Sequence, residues 1–220
     1  MIIIKLWWSI FAPKHENEVN FDYLNKFKDF LDTIDEQIIL AHGTGNKGHG
    51  FVNKYGVSTD TFPVWNNIAK DFFASLDDVF WYERIDAEDI LKWSVKIPEN
   101  KNIITGWDID SESLRIISSD EIVPFLVGKY NIQNSYMLTD VDGILDSENN
   151  IIPDIDMNNI ENINFWSKEW DVTNGMLWKI QSMKKYIPNK GNTMWIINGF
   201  DLENTKNIIF TWKWKGTKIK

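Results

Sequence analysis

The chain has 220 residues, 43% hydrophobic and 25% charged, which predicts a globular protein with one core or two closely fused lobes. Thirty-two acidic against 23 basic residues leave a net charge of −9, which argues against nucleic acid or an anionic membrane surface as the main partner. There is no cysteine, so disulfides, thiol nucleophiles and thiolate-bound metals are excluded, and three histidines (His15, His42, His49) are too few and too scattered to predict a zinc site.

Ile2 to Leu6 is a short apolar run and reads as a buried strand. No stretch approaches the ~18 apolar residues of a membrane span, and the run lacks the flanks of a signal peptide, so the expected location is the cytoplasm. The run carries Lys5 and enters Trp7-Trp8-Ser9. A strand of this kind feeding a tight turn is the layout of a phosphate-binding loop, which needs glycine because the backbone must reach positive φ and approach an anion closely. Two indoles are physically wrong for that work. Phe21, Leu24, Phe27, Leu31 and Ile34 recur at helical spacing and predict a helix over 20–34. A second strand over 37–41 leads into His42-Gly43-Thr44-Gly45-Asn46-Lys47-Gly48-His49-Gly50, and strand, glycine-rich loop and helix in that order form an anion cradle.

Helices are predicted over 66–76 and 86–91, strands over 102–105 and 114–118, and a helix over 119–127 with Ser119 or Asp120 near its cap. A strand over 135–138 runs into Thr139-Asp140-Val141-Asp142-Gly143, and 147–164 reads as a short hairpin or excursion. A helix over 171–186, a strand over 193–197 ending in Asn198-Gly199, a short helix over 202–210 and a strand over 217–219 complete the chain. This alternation predicts an α/β fold with a largely parallel sheet and a site at the carboxyl ends of its strands.

Four polar loops (5–9, 42–49, 139–143 and 198–199) follow four of these strands and converge on one sheet edge. They bring backbone amides, Lys5 and Lys14, two histidines and several carboxylates, which is an inventory for phosphoryl transfer. Neither the Walker A sequence nor the protein-kinase signatures occur.

Six ordered motifs resemble the amino acid kinase family and, within it, the isopentenyl phosphate kinases. Lys5-Leu6-Trp7-Trp8-Ser9 stands where the family has K-L-G-G-S, and Lys14 occupies the place of a second lysine five residues on. The loop 42–49 is similar to H-G-G-G-x-F-G-H, and 117–126 is similar to I-S-G-D-D-I-V-P-Y-L. Thr139-Asp140-Val141-Asp142-Gly143 matches T-D-V-D-G, and Asp171-Val172-Thr173-Asn174-Gly175-Met176 resembles D-V-T-G-G-M with Lys179 at the expected offset. The closing stretch 212–219 corresponds to G-x-x-x-G-T-x-I.

The resemblance implies a three-layer αβα sandwich with a mainly parallel central sheet. It implies a single domain over 1–220, with an acceptor-binding half of about 1–130 and a nucleotide-binding half of about 131–220. It implies ATP and Mg2+ as cofactors, a small-molecule phosphate or phosphonate as partner, no nucleic acid or membrane, and a homodimer as a family option. The leading reaction is phosphorylation of isopentenyl phosphate to the diphosphate, a step of isoprenoid biosynthesis. By the same resemblance Lys5, Lys14, His49 and Lys179 are catalytic. Trp7, Trp8, Ser9, Thr139, Asp140, Asp142, Gly143, Asp171, Thr173, Gly175 and Lys179 face ATP, and Gly43, Thr44, Gly45, Asn46, Gly48, His49 and Asp120 face the acceptor. His42 is expected to support its loop. Plainer roles stay open: Asp120 and Asp171 as helix caps, Asp142 in an Asx turn, the lysines as solvated charges. The short stretch 49–108 and the Ser-Ser-Asp at 118–120, shared with fosfomycin-like kinases, leave a fosfomycin-type acceptor as the alternative. A non-catalytic nucleotide-binding relative is the other, if Trp7 and Trp8 are genuine.

Tryptophan occurs 12 times, as often as glycine, which falls below its ~7% norm. Trp7, Trp8 and Trp212 fall on family glycines, Trp107 follows Gly106 where Gly-Asp is usual, and Trp178 sits where glycine is tolerated, whereas Trp170 matches a tryptophan that the related fosfomycin kinases carry before the same Asp. A gene whose UGA codons mean glycine, read with a table in which they mean tryptophan, produces this pattern.

Overall fold

The computed structural model describes residues 1–12, 19–92, 94–160, 184, 191–211 and 215–220, and of residues 45–47 and 49 the backbone alone. Its centre is β1 (Ile2–Leu6), buried at all five positions. Burial on both faces is why this segment reads as an apolar run, broken at Lys5 alone, and not as an alternation. It pairs in parallel with β2 (Ile38–His42) on one side and β7 (Asn134–Thr139) on the other. β4 (Ile103–Gly106) and the two-residue β3 (Glu83–Arg84) extend the sheet beyond β2, also in parallel. Beyond β7 lie β9 (Thr193–Asn198, parallel), β10 (Thr217–Ile219, antiparallel to β9) and β8 (Asp154–Ile155). The order is β3-β4-β2-β1-β7-β9-β10-β8, so strands from the first part of the chain and from the last form two contiguous halves of one sheet.

Successive side chains of a strand point to opposite faces, and β1 and β2 show the result directly. Ile2, Ile4, Leu6, Ile38 and Leu40 join a core formed with α1 (Trp8–Phe11), α2 (Phe21–Leu31), α4 (Phe62–Phe80) and α7 (Leu202–Thr211). Ile3, Ile39 and Ala41 join a second core with α5 (Ala87–Lys92) and α6 (Ser119–Tyr130). Two helical layers enclosing one sheet make the three-layer α/β sandwich that the motifs imply. A separate antiparallel ribbon, β5 (Asp108–Ile109) with β6 (Ile116–Ile117), follows β4. Between β2 and α4 lies α3 (Gly45–Tyr55).

Most boundaries fall within a residue or two of the expected ones. α4 is longer than the 66–76 reading because Pro63 sits in its first turn, where a missing N–H costs nothing. The strand expected over 114–118 shrinks to β6, because Leu114 turns the chain with φ 54°. The cap of α6 is Ser118, whose hydroxyl accepts from the Asp120 N–H at 3.1 Å, one position before the cap read from sequence. Of the excursion expected over 147–164, residues 147–160 are described: Ile151 bridges back to Leu145, and β8 follows. The helix expected over 171–186 lies outside the described residues apart from position 184. No helix among the described residues is long and apolar enough to cross a membrane.

Candidate active site

Parallel pairing in register brings four strand ends level: Leu6 lies opposite His42 and Leu138, and Thr139 opposite Asn198. The loops that leave these ends are stitched together by the backbone. Trp7 N–H donates to the Leu138 carbonyl at 3.0 Å and Gly199 N–H to the Thr139 carbonyl at 2.8 Å. The Tyr23 hydroxyl of α2 donates to the Gly199 carbonyl at 2.8 Å.

Lys5 is the charged group at the middle of this edge. Strand alternation turns it away from the core of Ile4 and Leu6 and toward α6, where it forms an ion pair and hydrogen bond with Asp120. Its side chain is 3% exposed. Burial lowers the Lys5 pKa, and the Asp120 carboxylate opposes this by charge and by hydrogen bond. Asp120 stands in the first turn of α6, held there by the Ser118 cap. The structure thus places Asp120 on Lys5, in addition to its place in a helix first turn.

The second loop is built around His42, 1% exposed, whose ring packs on Phe73 (centroids 5.1 Å apart) and against the backbone of Gly106. A Cβ at Gly106 would come 2.5 Å from His42 Cε1, so only glycine leaves room for the ring. Burial, with the nearby Arg84 cation, pushes the His42 pKa down to about 3. The ring is therefore neutral, and Nδ1, 3.1 Å from the Gly43 carbonyl, carries its proton and donates it there. His42 thus packs beneath the loop it opens. The glycine-rich segment is helical for most of its length: α3 begins at Gly45, which puts the backbone of Asn46, Lys47, Gly48 and His49 in its opening turns. Glycine is required at 48 because Thr44 lies where a Cβ would go, 2.3 Å from Thr44 Oγ1. The first N–H groups of α3 have no intrahelical acceptor and suit an anion. Ser9 Oγ and Thr44 Oγ1 are buried with no hydrogen-bond partner among the described residues, and Thr44 faces Gly48 and the Trp65, Ala69 and Phe72 side chains of α4.

In the third loop the Thr139 hydroxyl donates to Asp140 Oδ1 at 3.1 Å. Asp142 accepts from Asn198 Nδ2 at 2.9 Å and from the Lys215 ammonium, and these two bonds hold its carboxyl below the usual range. Gly143 docks on Thr217, where a Cβ would lie 2.8 Å from Oγ1. Asp142 is thus a brace joining the ends of β7 and β9 to the start of β10. Sequence places Asn198 only in the fourth polar loop and assigns Lys215 nothing, although Lys215 directly precedes the recognisable Gly216-Thr217. Lys14, Asp171, Thr173, Gly175 and Lys179 lie outside the described residues, as do Trp170, Trp178 and Trp212. No group of three or more metal-ligating side chains occurs among the described residues.

Trp7 is the residue before α1 and lies with its ring centroid 5.5 Å from Lys5 Nζ. Trp8 opens α1, and its indole lies over Gly43, with Cδ1 3.4 Å from where a Cβ on Gly43 would be. An indole therefore sits between the first and second loops. Trp107, 4% exposed, is pressed against Trp65 with ring centroids 4.0 Å apart.

A sequence profile of the amino acid kinase family matches residues 82–198. The isopentenyl phosphate kinase of Methanocaldococcus jannaschii is 29% identical over 227 residues, covering 84% of this chain and 87% of that protein. The product complex of T. acidophilum isopentenyl phosphate kinase superposes with a TM-score of 0.72 at 20% identity, over 100% of both chains. The uridylate kinase of Archaeoglobus fulgidus gives 0.70 at 13% identity, over 100% of this chain and 99% of its own. At such identities the superpositions speak for the fold.

Proposed function

The chain belongs to the amino acid kinase family, and from that premise we propose that it is an ATP-dependent phosphotransferase that converts isopentenyl phosphate to the diphosphate. The 29%-identical curated relative supports the acceptor. The observation that carries the reading in the structure is the buried Lys5–Asp120 pair at the point where the strand-end loops meet.

The chemistry needs position and charge more than it needs a base. The acceptor's phosphate oxygen is already ionised at neutral pH, so in-line attack on the γ-phosphorus requires alignment and stabilisation of developing negative charge. Lys5 offers a compact cation with three donors, and Asp120 fixes where that cation sits, as a positioning residue. Gly43, Thr44, Gly45, Asn46, Gly48 and His49 form the acceptor side, where α3 amides and the His49 imidazole would hold the acceptor phosphate. Ser9, Thr139, Asp140 and Gly143 would serve the nucleotide side, to which the family motif assigns Asp171, Thr173, Gly175 and Lys179, and Lys14 would join Lys5 at the transferring group. Asp142 serves that side as a brace. ATP would supply the phosphoryl group, and Mg2+ would be held chiefly by its phosphates, the usual habit of this ion.

Initial-rate assays of ADP formation with isopentenyl phosphate and with fosfomycin test the proposal. Turnover of isopentenyl phosphate and its loss in Lys5→Met are expected. In the protein carrying the family glycines at positions 7 and 8, turnover of fosfomycin alone, or nucleotide binding with no ADP formed, would overturn it.

A further inference from the structure

The backbone geometry at position 81 is that of a glycine, although the residue there is tryptophan. Trp81 ends α4 with φ 56° and ψ 28°, and its N–H donates to the Asp77 carbonyl at 2.9 Å. This is the left-handed helix-ending conformation that glycine, and after it asparagine, adopts at little cost, because a Cβ there crowds the backbone. Elsewhere the chain respects this preference. Of the five non-glycine residues with positive φ among the described residues, Asn100, Asn131 and Asn149 are of the tolerant type, Leu114 is an exception, and Trp81 is the bulkiest. Packing does not repay the strain, because Trp81 is 85% exposed. Its indole Nε1–H donates to the Asp78 carbonyl at 2.6 Å, an exposed bond to its own helix end that leaves the ring in solvent.

Positions 7 and 8 reach the same conclusion by a different route. Trp7 stands at the N-cap position of α1, where an indole makes no capping hydrogen bond. Trp8 lays its indole over Gly43, so the bulk of one loop occupies the approach to the other. The buried Ser9 hydroxyl that follows them has no hydrogen-bond partner among the described residues. A buried hydroxyl of this kind calls for a partner, and an indole offers a donor at Nε1 but no acceptor.

We infer that positions 7, 8 and 81 are glycine in the working protein, their codons being read as glycine by the cell that makes it. Glycine at 7 and 8 removes the two indoles from between the loops and lets the backbone of residues 7–9 approach a phosphate. Glycine at 81 relieves the left-handed residue. For 7 and 8 the inference rests on the kinase reading above, whereas for 81 it rests on conformation and exposure alone.

Peptide mass spectrometry of the protein from its native source decides the matter without regard to folding or activity. Glycine at 7, 8 and 81 is the expected result, and tryptophan at any of them overturns the assignment for that position. Recombinant proteins give a second readout. Trp81→Gly is expected to raise the thermal midpoint by about 2–4 °C, and a midpoint equal to or below that of the tryptophan protein counts against glycine at 81. Trp7→Gly/Trp8→Gly is expected to tighten ATP binding at least ~10-fold, and equal affinity of the two proteins counts against glycine at 7 and 8. Acceptor turnover by the glycine protein is scored separately. If the peptides show glycine and isopentenyl phosphate is not phosphorylated, the proposed function fails while the inference stands.

Discussion

Lys5 and Asp120 show how a single pair ties stability to catalysis. With side chains 3% and 15% exposed, each desolvates the other's surroundings, so removing one partner leaves a charge with little water. Asp120→Ala is therefore expected to cost about 3–5 kcal/mol in denaturant unfolding, and Lys5→Met/Asp120→Leu to recover most of that while remaining inactive. Lys5→Met alone should lower kcat by ~10²–10³-fold, the size of one preorganised donor at a transition state.

Two further residues set a pH dependence whose parts oppose each other. His42 has its pKa lowered to about 3. Its unfolded value of ~6.5 is higher, so the unfolded chain binds more protons and stability falls as pH drops from about 6.5 toward 3. Asp108 has its pKa raised to about 6, by burial first and also by the Asp86 and Glu88 charges, against hydrogen bonds from the Ile109 and Glu88 amides. The folded state then binds the proton more tightly, and stability rises as pH falls from about 6 toward 4. In thermal melts the two slopes should offset each other between about pH 4 and 6. Asp108→Asn should uncover the histidine slope, up to ~1.4 kcal/mol per pH unit.

At the scale of elements, α3 sets propensity against packing. Alanine is favoured over glycine in a helix by ~1 kcal/mol, and at Gly50 nothing lies within 4 Å of a new Cβ. Gly50→Ala should stabilise by about 0.5–1 kcal/mol. At Gly48 the Cβ would lie 2.3 Å from Thr44 Oγ1 and 2.5 Å from Thr44 Cβ. Overpacking, typically ~1–3 kcal/mol, outweighs propensity there, and Gly48→Ala should destabilise and impair acceptor binding. Paired unfolding curves check both signs. The glycine-rich run is legible as an anion cradle, but nothing in its composition says that the helix begins at Gly45, because that depends on α4 packing beneath Thr44.

Across the whole molecule, the brace of Asp142, Asn198 and Lys215 joins three strand ends. Its lysine is 62% exposed, so Lys215→Met should cost under ~1 kcal/mol of stability. If the brace positions the nucleotide loop, the same change should raise KM for ATP with little loss of kcat, and an unchanged KM would reduce it to a surface contact.

The sheet was legible from local pattern alone, because continuous apolar runs such as 2–6 and 193–197 have few ways to be buried other than as central strands. The loops of the site were legible because Thr139-Asp140-Val141-Asp142-Gly143 and its companions are contiguous in sequence. What local pattern could not contain was which side chains meet. Lys5 and Asp120 are 115 residues apart and Asp142 and Lys215 are 73 apart. Their meeting depends on strand register and on which face of β1 carries α6. Conformation at a single residue is equally beyond sequence: Trp81 is one aromatic among many until the end of α4 gives it a positive φ. Apolar periodicity determined the layers of this protein, and only three-dimensional closure decided the partners of its charges and the strain on its backbone.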